Sequence, residues 1–258
     1  MAAKKLVDFG NGFWNLRGDF RIGGVLNVGT HASLVALPGG RFVWLDSYTL
    51  EGEALSEAMR LTDGGKAVEA ILNLHPFHTL HCEWARKTFP GAKLYGSERH
   101  KRKFPGLNWE EPNVEDPRVA ELYAEVLEFS LPRGVDYISA NEKVHFSSLL
   151  AFHKPSRTIH VDDTLSYLAF PFPVSLVKKD SGLFFHPTLA KALERQASAS
   201  DDFRGWAREL GARWSDAARV CVAHDGIVPL PDADFERRVQ RALEKVEPVL
   251  TRHEHEHD

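Results

Sequence analysis

The apolar run Ala67-Val-Glu-Ala-Ile-Leu72 closes on Asn73-Leu-His-Pro-Phe-His-Thr-Leu-His81, and no other stretch constrains the chain as much. The run reads as a buried strand, and Cys82-Glu-Trp-Ala-Arg-Lys-Thr88 reads as a helix opening directly after it. A rigid strand end followed by a helix start can aim side chains at one point. Here the intervening side chains include His75, His78 and His81. Neutral imidazole is the commonest metal ligand, so a metal site is one reading. The same His-x-x-His-x-x-His spacing also suits one face of a helix, or three hydrogen-bonded histidines lining a cleft.

Around this centre the pattern alternates between strand and helix. Phe20–Ile22, Val25–Val28, Ala32–Leu37 and Arg41–Leu45 read as strands of antiparallel hairpins, with a Pro-Gly-Gly turn at 38–40 and Asp46 ending the last strand. Apolar residues at Ala54, Leu55, Ala58, Met59 and Leu61 have helical spacing, and Asp63-Gly-Gly65 ends that helix. A helix is expected over 118–128 and strands over 135–138, 144–152, 158–161 and 219–223. Further helices are expected near 188–197, 202–214 and 232–250. Two strand-rich halves with interleaved helices suggest an αββα sandwich, and 258 residues suit one α/β domain with its core at about 20–250.

The polar residues worth noting fall at strand ends: His75 and His78 after one strand, His145 at the head of another, Asp163 and His224 after two more. Strand termini delivering side chains to one sheet edge are a common way for an α/β scaffold to assemble a site. The basic run Glu98-Arg-His-Lys-Arg-Lys103 reads as a solvated surface segment, or else as an anion-attracting rim beside a cleft. The charged tail at 251–258, ending His253-Glu-His-Glu-His-Asp258, is expected to be disordered.

Formal charge is 32 minus 36, or −4, so no global field favours nucleic acid or an anionic membrane. The N-terminus lacks the apolar stretch of a secretory signal and no run is long enough to span a bilayer. A soluble, cytoplasmic protein is expected, acting on a small-molecule substrate, with oligomer formation open. The two cysteines, Cys82 and Cys221, are expected to be small buried hydrophobes, with a thiolate ligand as the alternative.

In order and spacing, residues from about 24 to about 228 resemble the metallo-β-lactamase superfamily. The strand Val43-Trp-Leu-Asp46, the segment Phe89-Pro-Gly-Ala-Lys-Leu-Tyr-Gly96, the Val-Asp-Asp-Thr-Leu165 turn and Ala-His-Asp-Gly226 each match an element of it. The resemblance implies an αββα four-layer sandwich of the metallo-β-lactamase type. Aligned without gaps from Phe89-Pro90, the superfamily's His-x-His-x-Asp-His falls on Asn73-Leu-His75-Pro-Phe77-His78. Asn73 then stands where the first His is expected, and Phe77 where the Asp is. His145 matches the mid-chain ligand if one residue is deleted after it, Asp163 the bridging carboxylate, and His224 the last ligand.

What the resemblance implies is a metal held by a subset of His75, His78, His145, Asp163 and His224, with Asp163 and His78 as catalytic residues. Asn73, His81, Asp162, Asp225 and His31 would stand behind them, and His153 there or at the surface. Two divalent ions would leave about two positive charges against one hydroxide and Asp163, so a single divalent metal is expected, zinc first, iron or manganese next. The implied activity is hydrolysis of a small ester, lactone, amide or phosphate by a metal-bound hydroxide. The alternative is a non-catalytic protein of the same fold with a structural metal or a binding role, which the loss of a carboxylate at Phe77 favours.

Overall fold

The computed structural model describes residues 6–19, 21–22, 26–27, 29–169, 180–223 and 226–257. Its contacts divide the chain into two compact units, Met1–Phe129 with His153–Ser156, and Ser130–Phe152 with Arg157–Asp258.

The first unit begins with β1 (Leu6–Asp8), β2 (Phe13–Gly18), β3 (Arg21–Ile22), β4 (Leu26–Asn27), β5 (Thr30–Ala36) and β6 (Phe42–Leu45). Then come α1 (Gly52–Leu61), β7 (Val68–Leu72), α2 (Cys82–Thr88), β8 (Lys93–Tyr95), α3 (Glu98–Lys103) and α4 (Pro117–Leu122). Through β9 (Leu127–Ser130) the chain passes into the second unit. Six strands form a mixed sheet in the order β1-β2-β5-β6-β7-β8. Its first three pairings are antiparallel and its last two, β6 with β7 and β7 with β8, are parallel. Parallel neighbours need a crossover, and α1 and α2 supply one each. These helices bury Ala54, Ala58 and Ala85 in a core with Trp44, Ile71, Phe89 and Leu94. Each large apolar side chain so buried contributes about 1.5–3 kcal/mol.

The ends of β6 and β7 are fastened to one another. Asp46 follows β6 with φ +59, a left-handed conformation that a short polar residue tolerates. Its backbone N–H donates to Leu72 O at 2.8 Å and its Oδ1 accepts from Leu74 N–H at 2.8 Å. The residue expected to end a strand therefore also fixes where the histidine segment leaves the sheet.

The second unit holds β10 (Leu150–His153), β11 (Thr158–Val161), β12 (Leu165–Ala169), β13 (Asp180–Phe185), α5 (Leu189–Ala192), α6 (Ala199–Arg213), β14 (Arg219–Val222), β15 (Gly226–Pro229) and α7 (Phe235–His257). The tip after β10, His153–Ser156, belongs to the first unit, where Lys154 N–H donates to Val126 O at 2.9 Å. The sheet runs β15-β14-β11-β10 and is again mixed, with β11 and β14 parallel and β14 and β15 antiparallel. Ile159, Val161, Val220 and Val222 lie in one core with Phe203, Trp206 and Leu210 of α6 and Val239, Leu243 and Leu250 of α7.

Several expected elements differ. The helix expected over 118–128 is the short α4 followed by β9. The strand expected over 135–138 is a single bridge, Val135 to Leu193. Of 144–152 only the end is strand, so His145 lies in a loop rather than at a strand head. The tail expected to be disordered is helical to His257. Arg204 on α6, its side chain 10 % exposed, pairs with Asp201 on its own helix and with Glu247 and Glu254 on α7. His253 is buried, and Ser200 Oγ donates to Leu250 O at 2.9 Å. These partners lie about fifty residues upstream, beyond the reach of a local pattern.

Candidate metal centre

The segment after β7 is bound on both sides of the sheet end. Asn73 donates to Tyr95 O through its backbone N–H at 3.0 Å and its Nδ2 at 2.9 Å, and its Oδ1 accepts from Ser47 Oγ at 2.7 Å. The Asn73 amide is thus used in joining three strand ends. Beyond it the chain turns: His78 N–H donates to His75 O at 3.1 Å and Thr79 N–H to Phe77 O at 3.0 Å. The turn stacks the His75 and His78 rings with centroids 4.1 Å apart and planes 15° from parallel. A ring nitrogen of each lies within 4.8 Å of the other, with His75 fully buried and His78 half-buried.

The basic run braces this turn. Arg99 donates through Nη1 to Pro76 O at 3.1 Å while its guanidinium carbon sits 4.3 Å from the centre of the Phe77 ring. Lys103 Nζ donates to Thr79 Oγ1 at 2.7 Å. Between them His100 is fully buried. Ser97 N–H donates to its Nδ1 at 3.2 Å, which leaves the ring proton on Nε2, 3.4 Å from His78 O. Burial pushes His100 down to about 3, so this brace is neutral in ordinary buffers. Neither a solvated segment nor an anion-attracting rim describes what Arg99, His100 and Lys103 do here, although Glu98, Arg102 and Lys103 are exposed. The signal present was the Ser97-Glu98 helix start, which fixes the face of α3 turned inward.

The other nominated residues are placed as follows. His81 Nδ1 shares a hydrogen bond with Thr49 Oγ1 at 2.9 Å, and its ring lies 4.8 Å from that of Tyr48. His31, on β5, accepts at Nδ1 from Asn15 Nδ2 at 3.3 Å. His153 is buried at the β10–β11 tip, where Ser156 N–H donates to Nδ1 at 3.3 Å and burial pushes the ring down to about 4. Cys82 is buried, its thiol 3.6 Å from Asn73 Oδ1, and burial pushes it up to about 12, so it stays protonated. In the second unit, Asp162 and Asp163 are buried just past β11. His145 is half-buried, with Nε2 2.7 Å from Glu142 O. His224 and Asp225 lie outside the described residues.

The donor chemistry fits a divalent metal. Two stacked imidazoles with nitrogens this close, and a buried carboxylate at Asp163, are donors that zinc accepts. His75 Nδ1 now accepts from Phe77 N–H at 3.1 Å.

The sequence matches no protein-family model and no curated protein. Solved structures do match. A metallo-β-lactamase from Erythrobacter litoralis, with β-mercaptoethanol in its active site, aligns with TM-score 0.61 at 11% identity, covering 96% of this chain and 98% of that one. One from Hirschia baltica aligns with TM-score 0.58 at 11% identity over 93% and 97%. The metallo-β-lactamase FIM-1 from Pseudomonas aeruginosa, in its mono-zinc form, aligns with TM-score 0.57 at 10% identity over 95% and 96%. Among the described residues no helix is long and apolar enough to cross a membrane.

Proposed function

Because the chain has the metallo-β-lactamase fold, we propose that it is a metal-dependent hydrolase of a small ester, lactone, amide or phosphate. Its single divalent metal, zinc first, would be held by His75, His78, Asp163 and His224. The observation that carries this reading is the stacked His75–His78 pair, fixed at a strand end by Asp46 and braced by α3. His145 is left out of this set: it lies half-buried in a loop rather than at a strand head.

When bound, such a metal lowers the pKa of water and polarises the substrate's oxygen. The chain's own part is to hold the two imidazoles aligned at the end of β7. Phe77 can accept no proton, so a carboxylate oxygen of Asp163 is assigned to take the one that attacking water releases. Asn73 and Cys82 hold the segment in place and ligate nothing.

Elemental analysis of tag-free protein should find near one equivalent of zinc or iron at this site, lost in the His75→Ala, His78→Ala double variant. Hydrolysis of activated ester or phosphodiester probes should rise as pH passes through about 7 and stop with chelator. Turnover indifferent to chelation would sink the reading. One observation favours a second reading, a metal-binding protein without turnover: the aromatic ring of Phe77 lies under a guanidinium where the resemblance expects a carboxylate. Metal binding with no hydrolysis of any probe class would select it.

A further inference from the structure

The β1–β2 hairpin stands at the edge of the first unit's sheet, where β1 is three residues long and pairs with β2 alone. Its tip is Gly10-Asn11-Gly12. All three residues are left-handed, with φ +76, +51 and +82. Tight hairpins favour Asn followed by Gly at such positions, because both tolerate positive φ. Position 12 is held to glycine a second time: a Cβ there would sit 3.0 Å from that of Ala36, whose N–H donates to Gly12 O at 2.8 Å. Phe13 N–H donates to Gly10 O across the tip at a long 3.2 Å. Asn11 is exposed, and among the described residues neither its side chain nor the Gly12 N–H has a hydrogen-bond partner.

We propose that Asn11 is a self-modification site, at which the Gly12 amide nitrogen attacks the Asn11 side-chain carbonyl carbon and converts the residue to isoaspartate. The nitrogen gives up its proton to solvent and bonds to Cγ, and the side-chain nitrogen leaves as ammonia. One water then opens the resulting five-membered succinimide. Attack at the backbone carbonyl sends the chain through the former side chain and gives isoaspartate, whereas attack at Cγ gives aspartate. One water is consumed, one ammonia is released, and nothing is oxidised or reduced. The attack needs rotation at Asn11, which local opening of so short an edge strand permits. Asn108 shows what else it needs. That residue is also exposed at φ +51, but Trp109 follows it, with Nε1 tied to Phe104 O at 2.8 Å. A large side chain on the next residue crowds the attacking nitrogen, and glycine leaves it open. The residue that the hairpin requires at 12 is therefore also the one that makes Asn11 reactive. Isoaspartate adds a methylene to the backbone of a tip closed by one long bond, so the product should loosen Ala36 N–H from Gly12 O.

The test is incubation of the folded full chain in mildly alkaline buffer, with peptide mapping by mass spectrometry over time. Aspartate and isoaspartate peptides are told apart by chromatography and fragmentation. Conversion at Asn11 is expected at least about tenfold faster than at Asn108, because only Asn11 precedes a glycine, and isoaspartate should be the larger product. Hydrogen exchange at the Phe13 and Ala36 amides supplies a second readout. Both should exchange faster in the aged protein than in freshly purified Asn11→Asp, which carries the same added charge on an unaltered backbone. Conversion at Asn11 no faster than at Asn108, aspartate without isoaspartate, or exchange in the aged protein equal to that of Asn11→Asp would each overturn the proposal. None of these outcomes depends on a metal or on hydrolytic activity.

Discussion

Two pairs of histidines in this chain stack almost identically. The His75 and His78 rings lie 4.1 Å apart at 15°, and those of His253 and His257 lie 4.2 Å apart at 18°. What holds each pair differs. The helical repeat of α7 creates the second, for residues four apart lie one above the other, and His257 Nδ1 is 3.0 Å from His253 O. The first is not set by a helical repeat. It stands on a turn held by Asp46, just after β6, and by Arg99, His100 and Lys103 from α3. Ring geometry alone is therefore a poor guide to function, and the placing of the backbone beneath the rings is a better one. A pair held from several elements is pre-organised for a ligand, whereas a helical pair frays with its helix end.

That contrast can be broken in order of expected effect. Replacing both His75 and His78 by Ala should weaken metal binding at their site by about 100-fold or more in a competition titration. Equal loss on replacing His253 and His257 would erase the distinction. Next, Arg204→Met should remove the clamp on α7 at a cost of about 1.5–3 kcal/mol, the usual worth of a charge-assisted bond, since its three carboxylate partners are 80%, 45% and 27% exposed and solvent takes up part of the loss. Hydrogen exchange should quicken over 250–257 while metal affinity at His75 and His78 stays unchanged.

A smaller effect is expected from the brace. His100→Asn keeps an acceptor for Ser97 N–H and deletes the Nε2–H facing His78 O, so metal affinity should fall about tenfold with the fold intact. An unchanged affinity would reduce α3 to a structural support. The same variant reports on acid stability. Because His100 is held at about 3, below the ordinary 6.5, the unfolded chain binds more protons between those values. Stability thus rises with pH across that window, by up to about 1.4 kcal/mol per pH unit from this group, and is lost on acidification. His100→Asn should flatten the denaturation-against-pH profile there. Smallest of all, the His253→Ala, His257→Ala variant should shift metal affinity at His75 and His78 by less than about threefold, since a pair set by a helical repeat is not pre-organised for a ligand.

Much of the first unit was legible in the sequence. The strands β3 to β6, then α1, β7 and α2, fall within a few residues of where turn chemistry and periodicity put them, because each is specified by residues close in sequence, whereas β1 and β2 were not anticipated. Illegible were the segments whose state depends on distant partners. Val144–Leu149 is apolar enough for a strand, yet Ser148 N–H is taken by Thr164 Oγ1 at 2.9 Å rather than by a ladder. His160 drew no attention because an alternating strand reads as half-solvated, and the sequence does not show that its polar face is buried.

The sequence by itself determined the α/β fold and the strand end at which His75 and His78 follow β7. Hydrophobic period, turn residues and ligand chemistry are local properties, readable in a window of a few residues. Only the tertiary structure decided that 98–103 also braces the histidine turn, that the charged tail is a helix clamped by Arg204, and that His160 and Cys221 are buried side by side on one sheet. Each of these depends on which polar groups lose water on folding, and desolvation is fixed by neighbours tens of residues away rather than by the chain's own pattern.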